Sequence, residues 1–303
     1  MTESRRLPPG VTGVHVLPAD HHEGPWESIV VPQEVKDRLL GTAALVLRHG
    51  RRLQLLSGSP HGLVLLSGPP GTGKSTLCQG LAQKASLAVA DRGATTLVQV
   101  DPHAFPSEML GESQRAVRRL FTETLPELAA RRPHTVVVID EVESLAVRRS
   151  TASFTANPVD GHRATDAVLS GLDELRCSSP HVLLLATTNF PEAVDEAVVS
   201  RADLVLELTL PSVPVLREIV RHSLLELAVQ WPGLLRLAED AELHAELAAA
   251  CAGFDGRRTR KTVLAALALR PSLAMSPEDL DADDLRIAVR AAVRHGSATT
   301  VHA

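Results

Sequence analysis

The eight residues Gly68-Pro69-Pro70-Gly71-Thr72-Gly73-Lys74-Ser75 constrain this chain more than any others. They meet the spacing G-x-x-x-x-G-K-S/T at every fixed position. An apolar run from Leu63 to Ser67 leads into them, and Ser75-Thr76-Leu77 opens a helical stretch. Glycines let successive backbone amides close around phosphate oxygens, and a helix N-terminus adds its dipole at the same place. The segment from Gly68 to Thr76 therefore reads as a nucleotide-phosphate cradle. Lys74 is placed to reach the outer phosphates of ATP and the Ser75 hydroxyl to ligate Mg²⁺.

A loop of this kind needs a sheet to carry it. Besides Leu63 to Ser67, short apolar runs occur at Leu97 to Val100, Thr135 to Ile139, Val182 to Ala186 and Leu204 to Leu208, separated by helical stretches. Continuous rather than alternating apolarity marks strands buried on both faces. Strands alternating with helices predict an α/β fold: a parallel sheet with helices on both faces. Aromatic residues make up only 2% of the chain, so Leu, Val, Ile and Ala must build that core.

The third strand run, Val136-Val137-Val138-Ile139, ends in Asp140-Glu141. A carboxylate at a strand's C-terminal end can hold Mg²⁺, so Asp140 joins Ser75 as a metal candidate. Glu141 can orient or deprotonate an attacking water. The fourth run ends in Thr187-Thr188-Asn189, where the Asn189 amide can bond both the γ-phosphate and that water. Arg201 comes just before the fifth run, where a guanidinium can serve a neighbouring subunit's γ-phosphate.

Residues 1–24 are rich in Pro, Gly and His and read as a flexible arm. An amphipathic helix is predicted from Pro32 to about His49. After Pro211 the strand runs stop, and Val215 to Gln230, Ala241 to Ala252, Arg258 to Leu269 and Asp281 to His295 read as helices. The expected organisation is an arm (1–24), a large nucleotide-binding domain (25–210), a small all-helical lid (211–296) and a tail (297–303). No signal peptide or apolar run of about 18 residues is present, which points to the cytoplasm and away from membranes. The formal charge of −5 gives no general attraction to nucleic acid. Three scattered cysteines, Cys78, Cys177 and Cys251, match no metal spacing and read as buried free thiols.

With the phosphate loop, Asp140-Glu141, Asn189 and Arg201 in this order and a helical lid behind them, the chain resembles an AAA+ ATPase over roughly residues 25–295. Asp140-Glu141-Val142-Glu143-Ser144-Leu145, Asp166-Ala167-Val168-Leu169 with Leu172-Asp173, Thr187-Thr188-Asn189 and Arg201-Ala202-Asp203 narrow the resemblance to the pachytene-checkpoint-type remodellers. The resemblance implies a homo-hexameric ring acting on a HORMA-domain partner. Gly253-Phe254-Asp255-Gly256-Arg257-Arg258-Thr259-Arg260-Lys261 is similar to that family's lid motif, which gives Arg257 the role of sensing the γ-phosphate. Glu108-Met109-Leu110-Gly111-Glu112-Ser113 resembles the substrate-gripping pore loop, with Met109 where an aromatic residue is usual and Leu110 beside it. Ile29-Val30-Val31 matches the adenine contact, with Val31 in place of the commoner glycine. Eukaryotic relatives carry a folded recruitment domain ahead of the motor, where this chain has the short arm. Short chains of this kind resemble bacterial relatives linked with HORMA proteins and nucleotide-second-messenger synthases in antiphage signalling.

Two other readings stay open beside the protein-remodelling motor. A clamp-loader or initiator type of switch acting with nucleic acid would need phosphate-contacting Lys and Arg, and one basic cluster exists at Arg257 to Lys261. A non-hydrolysing ATP-binding scaffold would not need Glu141, Asn189 and Arg201 together.

Overall fold

A computed structural model describes residues 7–19, 26, 27, 29–105, 112–145 and 158–299. They fall into two compact units. The first takes the described residues up to Trp26 with Pro32–Gly68 and Lys74–Leu208. The second takes Glu27–Val31, Pro69–Gly73 and the chain from Thr209 onward.

The first unit is built on a sheet of strands β1 (Val11–Leu17), β2 (Leu63–Ser67), β3 (Thr95–Val100), β4 (His134–Ile139), β5 (Val182–Thr188) and β6 (Leu204–Glu207), in the order β1-β3-β4-β5-β2-β6. Strands β2 through β6 all run parallel to one another. Every residue of β2, β4 and β5 is buried, which is why they read as unbroken apolar runs. Helices α1 (Gln33–Leu53), α2 (Lys74–Ala88), α3 (Glu112–Arg119), α4 (Leu125–Ala129), α5 (Pro158–Ser178) and α6 (Glu196–Val199) belong to this unit. One apolar core cluster runs from sheet residues such as Leu65, Val137, Ile139 and Leu184 to Phe121, Leu125, Val168 and Leu172, while the alternate strand residues Val64, Leu66, Leu183 and Leu185 are buried outside it.

Part of the expected arm is a strand. β1 pairs antiparallel with β3, from Val11 opposite Val100 to Leu17 opposite Thr95, and makes the sheet mixed rather than purely parallel. Val11, Gly13 and Leu17 are buried while Thr12 is exposed. That part-alternation suits an edge strand with one covered face, and it carries no unbroken apolar run to betray it.

The second unit is helical after Leu208: α7 (Val213–Gln230), α8 (Leu235–Ala238), α9 (Ala241–Ala250), α10 (Gly256–Ala265), α11 (Pro271–Met275) and α12 (Ala282–Thr299). Leu216, Leu224, Leu247, Val263 and Leu285 are among the residues of its own apolar core. Asp240 and Asp255 cap α9 and α10 by accepting backbone N–H bonds from Leu243 and Arg258. The last helix runs to Thr299, past the boundary at 296 expected from the sequence. Cys78 and Cys251 are buried as expected, but Cys177 is exposed near the end of α5.

Candidate nucleotide and water-handling site

Three neighbouring strands, β4, β5 and β2, end on the same side of the sheet: β5 and β2 stop level, Thr188 opposite Ser67, and β4 stops two residues earlier, Ile139 opposite Ala186. The residues just beyond each strand are therefore delivered to one edge of the sheet, the edge where open α/β sheets hold their ligands. After β2 comes Gly68, whose φ of 136° and buried position bring its backbone against Leu208. Lys74 is almost fully buried, and its ammonium donates to the Gly68 carbonyl at 2.7 Å. Thr76 is half-buried on the first turn of α2.

The Ser75 hydroxyl donates to both Asp140 oxygens, at 2.9 and 3.0 Å. Two hard oxygen donors this close fit a small divalent cation of the Mg²⁺ kind, which takes one or two protein oxygens and fills its shell with phosphate and water. The Thr187 hydroxyl also donates to Asp140 and accepts from the Glu141 backbone N–H at 3.2 Å. Sequence reasoning assigns no role to Thr187. Its position two residues before Asn189, on the strand beside β4, is the available signal.

Glu141 is the one non-glycine residue with positive φ among the described residues, at φ 55° and ψ 54°. Such a backbone costs about 1–3 kcal/mol and is retained where the surroundings over-determine it. Here they do. Asn189 Nδ2 donates to Glu141 Oε1 at 3.1 Å, and His103 Nε2 lies 3.0 Å from Oε2. The Glu141 carboxylate beside it raises the His103 imidazole above its ordinary value. The Asn189 backbone N–H is held in turn by Glu143 Oε1 at 3.1 Å.

Arg201 lies elsewhere in this unit. Two residues on, Asp203 accepts the backbone N–H groups of His61, Gly62 and Leu63, at the start of β2 and so at the end of that strand opposite Gly68. β2 has five residues, so Arg201 and Gly68 are separated by about 16 Å of strand. Arg201 is not brought to its own chain's Lys74 and Ser75.

In the second unit, Pro69 and Pro70 are exposed, and the Thr72 hydroxyl closes the loop on the Pro69 carbonyl at 2.9 Å. Gly71 and Gly73 have φ of 80° and 95°. The Arg257 backbone N–H donates to the Gly71 carbonyl at 3.3 Å, and the Arg257 side chain is exposed. Ile29 faces Gly73, while Val30 and Val31 are half-buried beside it in sequence. Two other members of the basic cluster, Arg258 and Arg260, are engaged within this unit. Arg258 stacks on Phe254 and donates to the Ala292 carbonyl, and Arg260 pairs with Glu226. Met109 and Leu110 lie outside the described residues.

The model of the ATPase family associated with various cellular activities (AAA) matches residues 64–210. Over 286 residues the chain is 41% identical to CD-NTase-associated protein 6 of Pseudomonas aeruginosa, covering 94% of this chain and 93% of that protein. The pachytene checkpoint protein 2 homolog of Arabidopsis thaliana is 34% identical over 279 residues. The chain belongs to the AAA ATPases of the pachytene-checkpoint type. Its match to the Arabidopsis protein takes in 81% of this chain but 59% of that longer one. Among solved structures, a chain of the E. coli complex of HORMA, CdnC and Trip13 superposes with a TM-score of 0.73. That match covers 92% of this chain and 94% of the other at 18% identity, a likeness of fold. As an AAA ATPase the chain binds nucleotide and hydrolyses ATP. Among the described residues no helix is long and apolar enough to cross a membrane.

Proposed function

We propose that this ATPase works as a homo-hexameric ring in the cytoplasm, using Mg²⁺-ATP to engage a HORMA-domain protein and partly unfold or disassemble it, in the control of antiphage nucleotide-second-messenger signalling. The observation that carries the ring is the separation of Arg201 from Gly68 along β2, beside an otherwise complete water-handling set at Asp140, Glu141 and Asn189. A guanidinium that cannot serve its own site is available to a neighbour's, and such an arginine contributes about 10³ to 10⁵ in rate. The partner reading is supported by the pachytene-checkpoint relatives and by the HORMA protein in the E. coli complex of similar fold. The signalling role is supported by CD-NTase-associated protein 6.

Within this reading the loop from Gly68 to Ser75 surrounds the phosphates and Lys74 leaves the Gly68 carbonyl to meet their outer oxygens. Ser75 and Asp140 would hold Mg²⁺, which would supply positive charge to the phosphate oxygens. Glu141 takes the proton of the attacking water while Asn189 orients both. Arg257 senses the γ-phosphate from the lid, and Val30 and Val31 face adenine. Met109 and Leu110 grip an extended segment of the partner through apolar contact. Engagement of Arg258 and Arg260 inside the lid takes two cations away from any nucleic-acid surface, which favours the motor over the switch.

The test is conversion of a closed HORMA protein to its open form with ATP. Wild type should convert it. Replacing Met109 and Leu110 together by serine should abolish conversion and leave basal ATP hydrolysis largely intact. Equal conversion by both proteins removes the grip by Met109 and Leu110, and stimulation of the ATPase by DNA instead of a HORMA protein restores the switch.

A further inference from the structure

We propose that the end of the sheet opposite the nucleotide edge carries a docking surface for an acidic segment of a partner protein, recognised by Arg51, Arg52, Arg92, Arg131 and Arg132. The inference goes beyond the remodelling function and does not depend on it.

Strands β3, β4 and β5 start side by side, Thr95 opposite His134 and Thr135 opposite Val182. Arg92 comes just ahead of the first of these strands and Arg131-Arg132 just ahead of the second. The end of α1 is brought against the start of the third, since a Cβ on Gly50 would run into the Pro180 carbonyl. That end carries Arg48, Arg51 and Arg52, which share one helix face at spacings of three and four. The segments are joined across their gaps. Arg92 Nη1 donates to the Arg48 carbonyl at 3.0 Å, and Arg132 Nη1 donates to the Thr96 hydroxyl at 3.3 Å. Gly93 lies against Pro133, where a Cβ would be 3.0 Å from the ring.

Segments 45–54, 88–96 and 129–135 hold six arginines, no lysine and a single acid, Asp91. Arg48 takes that acid, its two terminal nitrogens meeting the two oxygens at 3.1 and 2.6 Å. Among the described residues no carboxylate pairs with the other five arginines. Arg51, Arg52, Arg92 and Arg131 are exposed, and Arg132 is half-buried. Six arginines against Asp91 leave five positive charges here, and so −10 on the remainder of a chain whose total is −5. The dipole of α1 accounts for basic residues on its last turn, but Arg92, Arg131 and Arg132 lie outside that helix. Charge segregated in this way makes a local field that draws anions to one place.

The chemistry and the size of the patch favour carboxylates on a peptide. A guanidinium pairs with a carboxylate through two parallel bonds, a geometry that lysine lacks. The outer two of three neighbouring strands are about 10 Å apart, which three or four extended residues span. A nucleic-acid strand would run on past the patch over a surface bearing the remaining negative charge. Because Lys74, Ser75 and Asp140 stand at the other end of the strands, a docked segment leaves the nucleotide edge open.

The experiment follows a short fluorescein-labelled peptide of alternating Asp and Glu by anisotropy against the full chain at low salt. Replacing Arg51, Arg52 and Arg131 together by glutamine should weaken binding by about tenfold or more, since one exposed pair contributes up to about fivefold. Arg131→Gln alone should lose about twofold to fivefold. Basal ATP hydrolysis and the thermal midpoint should stay as in wild type. Replacing Arg38, Arg217 and Arg290, three exposed arginines outside the patch, should change affinity by less than about twofold. No binding by the wild type, or equal losses in the two triple variants, overturns the proposal. Tighter binding of an oligothymidylate of the same charge overturns it as well, by assigning the arginines to phosphate. So does a fall in oligomeric mass of the patch variant, which would make this face a contact between copies.

Discussion

Asp173 grips Arg201 through two parallel hydrogen bonds, from Nε to Oδ1 at 2.9 Å and from Nη2 to Oδ2 at 2.8 Å. The Arg201 guanidinium holds the Asp173 carboxyl below its usual range, and Arg201 is raised in return. A third bond runs from Nη1 to the Ala197 carbonyl at 2.9 Å. A guanidinium has five N–H groups in a plane, so this clamp sets the direction in which the remaining two point. If they serve a neighbouring subunit, inactive Arg201→Ala and Glu141→Gln chains mixed together should regain part of the ATPase activity. In a mixed ring, some interfaces pair an intact Glu141 with an intact Arg201. No recovery at any mixing ratio, in rings shown by mass to contain both chains, rules out the shared site.

Glu141 and Lys74 should fail in different ways. Glu141→Gln keeps the side chain's shape but removes its basicity, so turnover should fall by about 10² to 10⁴ while Mg²⁺-ATP still binds. Lys74→Ala removes a charged contact to the outer phosphates, and the loss should appear in nucleotide affinity itself. Titration of a fluorescent ATP analogue against both variants separates the two effects. Equal affinities would show that Lys74 does not bind phosphate.

Acid should destabilise the first unit through His134 and His181. His134 donates Nδ1–H to the Leu47 carbonyl at 3.0 Å, since a carbonyl only accepts, and its bare Nε2 is buried without a partner. His181 bonds the Ala129 carbonyl through Nε2 at 3.5 Å, and its Nδ1 is likewise buried and unpartnered. Burial, the largest cause, lowers both imidazoles below their ordinary value of 6.5. The unfolded chain therefore takes up protons first, and stability present above 6.5 is lost as pH falls below it. Thermal midpoints from about pH 7.5 to 5 should drop, and the slope should shrink in His134→Gln. An unchanged slope would place the acid sensitivity elsewhere.

Gly171 makes a packing prediction independent of nucleotide. A Cβ there would stand 2.6 Å from Phe121 Cβ and 2.8 Å from Cγ. Phe121 is almost fully buried in a π-helical stretch, Leu120–Thr124, between α3 and α4. Gly171→Ala should cost about 1–3 kcal/mol by overpacking, despite the gain in helix propensity. Urea unfolding measures it, and a stabilised variant would mean that Phe121 gives way freely.

Strands buried on both faces are legible because their apolar runs are unbroken: Leu63 to Ser67 is delimited to the residue, and β5 falls short only by Thr187 and Thr188. Polar ends escape notice where tertiary burial, not side-chain type, decides, as with the buried Thr95 and Thr96 of β3. β1 is hidden because Gly13 and His15 interrupt it and its pairing with β3 joins residues more than 75 apart in sequence, at Leu17 and Thr95. At the site, Lys74, Ser75, Asp140 and Asn189 are legible from motif spacing. His103 is not, since a histidine between Pro102 and Ala104 has no pattern until β3 is laid beside β4. Asp173 enters only through family likeness, and its hold on Arg201 is a property of the folded unit.

The first glycine of the phosphate loop answers to the sheet before it answers to phosphate. A methyl group at Gly68 would stand 2.0 Å from the Leu208 carbonyl oxygen, and the Leu208 N–H is already bonded to Ser67 at 2.8 Å. The turn out of β2 and the chain leaving β6 are thus threaded past each other with no room between them. An inactive Gly68→Ala protein would say nothing about how nucleotide is recognised. It would report a sheet edge pried open, and a purified enzyme carrying it should be judged first by whether β6 still closes that edge.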